Sequence, residues 1–218
     1  MSVKICPRCG GIAEYNAYYG KIMCTRTNCN WEGYPENRLH KIIAIVAVDN
    51  NWAIGKNNKL LYNVPEDMKY FRNTTNGNIV IYGYNTLLSF PNKMPLPNRT
   101  NIVLYPGSLE YQGITVAHNI ENAIKIINSI QDDRPVFVCG GASIYRQMID
   151  LCHEAYVTKI DAATDGADAF FPNLDALPDW TCYDEGLSHI QSVSGFDIRF
   201  TKYVNKHLMH DWRRKTEE

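Results

Sequence analysis

The sequence has no excess of charge of either sign. Its 22 lysines and arginines are balanced by 23 aspartates and glutamates, which gives a net charge of -1 at pH 7. This balance excludes a chain-wide electrostatic attraction to nucleic acid or to an anionic membrane. No apolar run approaches the roughly 20 residues that cross a bilayer, and the opening residues MSVKICPRCG hold no apolar core of a secretion signal. We therefore expect a soluble, cytoplasmic chain with no membrane partner.

Four of the seven cysteines are concentrated near the N-terminus. Two residues separate Cys6 from Cys9, and four residues separate Cys24 from Cys29. Fourteen residues lie between the two pairs. Disulfides do not persist in a reducing cytosol, so two close pairs favour a metal site, and zinc takes four such ligands in a tetrahedron. A segment of about 35 residues also has too little core to fold without a metal or disulfides. The sequence predicts a structural Zn²⁺ site, and a surface cysteine cluster without metal is the alternative.

The cysteine-bearing segment resembles zinc ribbons over residues 4–34, and more loosely the short ribbons of phage restriction-alleviation proteins. Its basic residues are partly offset by Glu14 and Glu32, and thiolates add negative charge. The electrostatic case for DNA is therefore thin. A contact with nucleic acid, a contact with a protein partner and a purely structural role all stay open.

Polar residues and a proline separate this segment from the rest of the chain. We expect a zinc ribbon over residues 1–36, a linker over 37–41, a main domain over 42–205 and a C-terminal tail over 206–218. The length of 218 residues accommodates this division, at about 150 residues per domain.

The main domain alternates short apolar runs with helical segments. The run IIAIVAV is apolar throughout, which is typical of a strand buried on both faces. Val64-Pro65-Glu66-Asp67 is typical of a helix start, and FDIRFTKYV near the end reads as a strand of an antiparallel pair. We predict an α/β fold with a mostly parallel central sheet, helices on both faces and an antiparallel C-terminal edge.

Asp67 follows Glu66 in the first turn of the predicted helix. A carboxylate on a helix can accept two charge-assisted hydrogen bonds from the edge of a ring that carries N–H donors. Phe71, four residues on, shares its helix face, and Met68 flanks that face. An acid beside apolar residues forms a pocket with one polar anchor. The alternative is a helix-start acid favoured by the helix dipole, a description that fits Glu66 better.

Several stretches together carry a family resemblance. They are IVAVDNNWAIGKNNKLLYNVPEDMKYF (45–71), GYNTLLSFPNKMPLPNRTNIVL (83–104) and VCGGASIYRQMI (138–149), followed by YVTKI (156–160) and GADAFFP (166–172). In this order and spacing they resemble dihydrofolate reductase over about residues 41–204. The resemblance implies an enzyme that reduces 7,8-dihydrofolate to tetrahydrofolate with NADPH, and Asp67 as the ionisable group that assists protonation of the pterin.

The resemblance implies further substrate-side residues. Arg99 matches the arginine that binds the glutamate carboxylate of the substrate, a task suited to a guanidinium. Thr158 matches the threonine that hydrogen-bonds the pocket acid. The resemblance also implies that Leu60 and Tyr62, in a mobile lid over residues 50–62, are catalytic residues together with Asp67. Asp168 matches a position that supports the closed lid. The remaining residues that would line the pterin pocket are Ile45, Val46, Ala47, Met68, Phe71, Phe90, Leu96 and Cys139.

The cofactor side is implied by a double glycine. Gly140-Gly141 would let backbone amides approach phosphates, and the resemblance implies a cis peptide between them, with Tyr145 near the nicotinamide and Thr86 at the pyrophosphate. The other positions that match the cofactor site are Ala47, Ile54, Gly83, Tyr84, Asn85, Leu104, Tyr105, Cys139, Ala142, Ser143 and Ile144.

The chain departs from the family at two places. Leu61-Tyr62 replaces a Pro-Trp pair in the lid, and Tyr84-Asn85, Tyr105-Pro106 and Ser143 replace basic or small hydroxyl residues near the cofactor's 2'-phosphate. NADPH is therefore expected from the family, and NADH stays open. Two other functions also stay open: a related reductase of another heterocycle, such as a pyrimidine reductase, and a non-catalytic binding or structural protein built on a degenerate reductase.

Overall fold

The structure is a computed structural model that describes residues 4–6, 8–16, 21–29, 32–33, 40–184 and 190–208. No helix in these ranges is long and apolar enough to cross a lipid bilayer. Most of the predicted linker and the tail beyond Leu208 lie outside the described residues.

The N-terminal segment is a small antiparallel sheet. Among the side chains that the structure describes here, Cys6 and Ala13 are buried, and the other three clustered cysteines pack against them. The four clustered thiols therefore occupy the place of a hydrophobic core. The strands are β1 (Lys4–Ile5), β2 (Ile12–Asn16), β3 (Lys21–Cys24) and β4 (Glu32–Gly33), paired in that order.

The main domain is built on a nine-stranded sheet. Its strands and those of a small lid sheet are β5 (Ile42–Val48), β6 (Ala53–Lys56), β7 (Lys59–Leu60), β8 (Ile79–Gly83), β9 (Thr100–Leu104), β10 (Ile114–Ala117), β11 (Val136–Val138), β12 (Glu154–Ile160), β13 (Ala169–Phe170), β14 (Trp180–Asp184), β15 (Ile190–Gln191) and β16 (Asp197–Asn205). The helices are α1 (Pro65–Thr75), α2 (Tyr84–Ser89), α3 (Ile120–Ser129) and α4 (Ala142–Met148).

The strand order confirms the predicted fold class. The sheet runs β10-β9-β8-β11-β5-β12-β16-β14, with β15 paired to β16. The pairs from β10 to β12 are parallel, whereas β16 is antiparallel to β12, β14 and β15. Because all the parallel strands point the same way, the loops that leave their carboxyl ends meet at one edge, where open α/β sheets bind ligands.

Helices cover both faces of the sheet, and the side chains of β5, which is apolar at every position, are buried on both. Ile42, Ala44 and Val46 point into a core that includes residues of α3 and α4, and Ile43 and Ile45 point into a second core that includes Leu87 of α2. A continuous apolar run is what such two-sided burial requires.

The domain begins earlier than residue 42. His40, assigned to the linker by the sequence, is buried, and its ring nitrogens lie 2.7 Å from the carbonyl oxygen of Arg134 and 3.1 Å from that of Ile130. At the other end Leu208 is also buried, so the described start of the tail packs on the domain.

Candidate active site

Asp67 lies in the first turn of α1, facing the sheet. It is half-buried and accepts a hydrogen bond from the hydroxyl of Thr158, a buried residue of β12 that pairs with Ala47 of β5. Burial raises the pKa of the Asp67 carboxyl, and the hydrogen bond from Thr158 opposes part of that rise. The position therefore holds an acid whose proton is retained to higher pH than that of an ordinary aspartate.

Glu66, the neighbouring acid, points to a different element. Its carboxylate accepts hydrogen bonds from the Ser192 hydroxyl at 2.6 Å and the Val193 backbone N–H at 3.0 Å. These hydrogen bonds lower the pKa of Glu66, the one from the Ser192 hydroxyl having the larger effect. The shift is opposite in direction to that of Asp67. The two adjacent acids thus differ in environment, and Asp67 alone of the pair contacts the Thr158 strand.

Several of the apolar residues predicted for the pterin pocket lie on one face of the sheet. Phe71, Phe90, Leu96 and Cys139 are half-buried on the α1–α2 face of the sheet, packed against a cluster that includes Ile45, while Met68 is 41% exposed at the rim. Phe90 meets Tyr82 edge to face at 5.0 Å between ring centroids. Val46, also expected in the pocket, is buried in the core on the opposite face, where it can contribute packing and backbone only.

Arg99 is held by oxygen acceptors at the end of α1. Its guanidinium donates to the carbonyls of Arg72 at 2.7 Å and Pro97 at 2.6 Å, and to the Thr75 hydroxyl at 3.1 and 3.2 Å. None of its partners among the described residues is a carboxylate. Partial burial lowers the pKa of Arg99, with a contribution from the positive charge of Arg72. Its orientation is set without neutralising its charge.

The double glycine forms a close backbone turn after β11. The peptide between Gly140 and Gly141 is cis, as the resemblance implied. A Cβ on Gly140 would lie 2.9 Å from the Tyr145 ring, and one on Gly141 would lie 3.5 Å from the Thr86 hydroxyl. The Gly83 N–H donates to the Gly140 carbonyl at 2.8 Å, so the turns after β8 and β11 meet here.

Tyr145 connects the double-glycine turn to β5, the strand next to the one that carries Thr158. Its hydroxyl donates to the Ile45 carbonyl of β5 at 2.6 Å, and its ring packs edge to face on Phe171 at 4.7 Å. Burial raises the pKa of Tyr145 well above its ordinary value, and the nearby Cys139 and Asp67 add to the rise. The substrate-side and cofactor-side residues are therefore contiguous.

Two tyrosines lie at the positions predicted for the outer end of the cofactor site. Tyr84 follows Gly83 and Tyr105 follows Leu104, and their rings are 4.8 Å apart at an angle of 50°. Of the other positions predicted to hold the cofactor, Ile144 and Leu104 are buried, Ile54 and Ala142 are half-buried, and Asn85 and Ser143 are exposed.

The segment predicted to be a lid is a hairpin. β6 and β7 are joined by Asn57 and Asn58, both at positive φ, and β6 also pairs with β13. The Asp168 carboxylate accepts from the Asn57 N–H at 2.8 Å. Tyr62, at the base of the segment, hydrogen-bonds Thr164 at 2.6 Å through its hydroxyl.

The structure gives Leu60 no chemical role. Its side chain is 70% exposed on the hairpin, and a hydrocarbon can neither donate nor accept a proton. Covering the site is the most that this residue can do.

Two positioning residues were missed from the sequence. Asp49 accepts from the N–H groups of Asn51 and Ala53 at 2.8 and 2.9 Å, and from that of Thr164 at 3.0 Å, which fixes the start of the lid. Asn101 bonds both the N–H and the carbonyl of Leu96, at 3.1 and 2.9 Å, and so shapes the loop before Arg99. The Asp-Asn-Asn sequence after β5 is a turn signal that points to Asp49, whereas nothing in the sequence singles out Asn101.

The four N-terminal cysteines converge on one point. Their sulfur atoms all lie within 4.8 Å of one another; the Cys6–Cys29 sulfurs are 3.8 Å apart and the Cys9–Cys24 sulfurs 3.4 Å. Four thiolates about 2.3 Å from a tetrahedral zinc ion lie roughly 3.8 Å apart. The residues present therefore fit a Zn²⁺ ion, and all four thiols are free of disulfides.

Comparison with known proteins relates the main domain to one enzyme family. The family model described as dihydrofolate reductase matches residues 41–205. Dihydrofolate reductase of Haemophilus influenzae is 33% identical over 162 residues, covering 74% of this chain and 97% of that protein. Dihydrofolate reductase of Bacillus subtilis is 34% identical over 164 residues, covering 74% and 93%.

A solved structure has the same fold. Dihydrofolate reductase from Enterococcus faecalis, complexed with NADP(H) and RAB-propyl, is 28% identical, with a TM-score of 0.65 over 75% of this chain and 95% of that one. The match to the family model begins at residue 41, so the N-terminal cysteine cluster lies outside it. From its strand order, its paired glycines and these matches, the chain belongs to the dihydrofolate reductase family.

Proposed function

We propose that this chain reduces 7,8-dihydrofolate to tetrahydrofolate with a reduced nicotinamide dinucleotide. The observation that carries the proposal is Asp67, a half-buried acid hydrogen-bonded to Thr158 at the ligand-binding edge of the sheet. The reaction adds one hydride and one proton across a C=N bond of the pterin, and the dinucleotide is oxidised by two electrons.

Asp67 performs two tasks in this proposal. Its oxygens accept hydrogen bonds from the 2-amino and N3 edge of the pterin, which fixes the plane of the ring. Burial raises the pKa of its carboxyl, so it takes up a proton more readily than an ordinary aspartate, and a water molecule carries a proton to the ring nitrogen being reduced. The apolar residues around it exclude other water and strengthen both interactions.

The residues of the double-glycine turn fit a dinucleotide. Side chains are absent at Gly140 and Gly141, so the backbone is open beside the Thr86 hydroxyl, which suits a pyrophosphate. When bound, the reduced nicotinamide supplies the hydride. Tyr145, held by the Ile45 carbonyl, forms part of the wall between that end and Asp67. The lid hairpin, fixed by Asp49 and Asp168, would cover the site.

A direct assay tests the proposal. Purified full-length chain should oxidise NADPH when 7,8-dihydrofolate is added, followed by the loss of absorbance of the reduced nicotinamide. The same assay with a ribosylamino-pyrimidine substrate separates this activity from that of a pyrimidine reductase. Turnover of the pyrimidine alone, or of neither substrate by folded protein at several pH values, would remove the proposal.

Arg99 is proposed to bind the glutamate carboxylate of dihydrofolate. We predict that Arg99→Gln raises KM for dihydrofolate by about 10- to 100-fold, the worth of a charge-assisted hydrogen bond, with a smaller effect on kcat. Steady-state kinetics with dihydrofolate and with a pterin lacking the glutamate provide the measurement. Both forms of the protein should reduce the truncated substrate equally, and a loss with both substrates would contradict the assignment.

We also propose that the N-terminal cluster binds one structural Zn²⁺ ion. The four sulfurs lie within 4.8 Å of one another, close enough to coordinate one ion, and they form the centre of the cluster that the described residues of the ribbon bury. The reducing cytosol predicted from the sequence would keep the thiols available. Contact of the ribbon with nucleic acid or a protein stays a prediction from the sequence.

A further inference from the structure

The orientation of the dinucleotide follows from the strand order, given the proposed function. The nicotinamide must lie beside Asp67 and Tyr145, near β5 and β12, and the pyrophosphate at the turns after β11 and β8. Continuing in the same direction along the edge, the adenosine reaches the ends of β8, β9 and β10. The segments that leave these three strands therefore decide what the ribose of the adenosine meets.

Aromatic side chains occupy this end of the site. Tyr84 leaves β8 and Tyr105 leaves β9, with their ring centroids 4.8 Å apart. Tyr105 is backed by Gly107, where a Cβ would lie only 2.8 Å from the ring. The backbone of the loop at Gly107 thus packs against the Tyr105 ring. The two tyrosines present a half-exposed aromatic surface suited to an adenine ring.

Cations are missing from the same segments. Residues 84–90, 105–112 and 117–122 contain no lysine or arginine, and they carry Glu110 and Glu121. Lys125 of α3 is paired with Glu121 at 2.6 Å, and Arg146 lies in the last turn of α4, away from the end that begins at Gly141. The exposed His118 is the remaining basic side chain of the three segments.

A site selective for NADP(H) usually offers the 2'-phosphate a cation, most often an arginine. The tyrosine pair offers neutral rings and hydroxyls instead, and the acids of the three segments, Glu110 and Glu121, supply no positive charge. We infer that the adenosine end of this site does not select for the 2'-phosphate, so that NADH serves as hydride donor about as well as NADPH. Tyr84 and Tyr105 are then the residues that set this relaxed cofactor specificity.

Binding of the oxidised nucleotides to the full-length, zinc-loaded chain tests the inference without catalysis. In isothermal titration calorimetry, NAD⁺ and NADP⁺ should have dissociation constants within about fivefold of each other, less than the effect of one charge-assisted hydrogen bond. The ratio should change little between low and high salt, because no cation is paired with the 2'-phosphate.

Two other results of the titration would have different consequences for the inference and for the proposed function. Tighter binding of NADP⁺ by about 50-fold or more, weakening steeply with salt, would overturn the inference and leave the proposed function standing. Binding of neither nucleotide would instead overturn the proposed function, on which this inference rests.

A single added cation gives a second test. We expect Tyr84→Arg to shift the affinity ratio toward NADP⁺ by about tenfold or more. Tyr84→Gln, which removes the ring without adding charge, should weaken both nucleotides and leave the ratio as it is. An unchanged ratio in a folded Tyr84→Arg protein would show that Tyr84 does not lie beside the 2'-position.

Discussion

Asp67→Asn should lower the rate of dihydrofolate reduction at neutral pH by about 10²- to 10⁴-fold, the usual worth of a positioned proton donor. Asparagine has the same shape and can still bond Thr158, but it cannot hold or release the proton that the ring nitrogen needs. Stopped-flow measurement of the hydride step, with substrate and cofactor saturating, isolates this loss from any change in binding.

The matched control is the neighbouring acid. Glu66→Gln removes a carboxylate one residue away that bonds Ser192 and Val193 rather than the Thr158 strand. Its rate should stay within about twofold of the unaltered chain, because a contact on the far side of α1 supplies no proton to the substrate. Equal losses in both variants would mean that the effect at Asp67 is one of helix placement.

Asp67→Asn should alter the pH dependence of both the reaction rate and the stability of the fold. Burial raises the pKa of Asp67, so the rate of the unaltered chain should fall as pH rises through that pKa, and the asparagine variant should lack this limb. For stability, the folded state holds the Asp67 proton more tightly than the unfolded chain. Stability therefore falls as pH rises from the unfolded pKa to the folded pKa and is level above it. The melting temperature of the unaltered chain, taken relative to that of the asparagine variant, should fall across this window.

Cys24→Ser should abolish zinc binding and unfold the ribbon. The unaltered chain should carry about one zinc ion, since four thiolates complete a structural site. Structural zinc contributes roughly 10 to 16 kcal/mol of binding free energy to such small folds, and the described core of the ribbon consists of the four cysteines and Ala13. Loss of one ligand therefore removes most of what holds β1 to β4 together. Elemental analysis and hydrogen exchange of residues 4–33 in the full-length chain provide the measurement.

A cysteine outside the cluster serves as the control. Cys182→Ser alters a half-buried thiol of β14 and should leave the zinc content unchanged. Dihydrofolate reduction should continue in Cys24→Ser, because the family match and the site residues all lie beyond the ribbon. Full zinc retention in Cys24→Ser, or no zinc in the unaltered chain, would refute the site, and loss of reduction would show that the ribbon supports the main domain.

The sequence by itself determined the fold class and the residue types of both sites. The uninterrupted apolar run of β5 required burial on two faces, because no polar side chain was available for a solvent-facing side. The spacing of the four cysteines predicted the cluster, since each pair spans one tight turn. Asp67 and the double glycine were assigned through the order of the family's motifs, because the chemistry of the family restricts those positions to few residue types.

Only the tertiary structure decided which of two adjacent acids faces the site and how Arg99 is held. Thr158 is distant in the chain from Asp67, and Ser192 is more distant still from Glu66, so sequence spacing carries no sign of either contact. The roles of Asn101 and of the Tyr84–Tyr105 pair likewise depend on which strands become neighbours. Local sequence sets backbone preference and side-chain chemistry, whereas the direction of a side chain is set by whatever the fold packs against it.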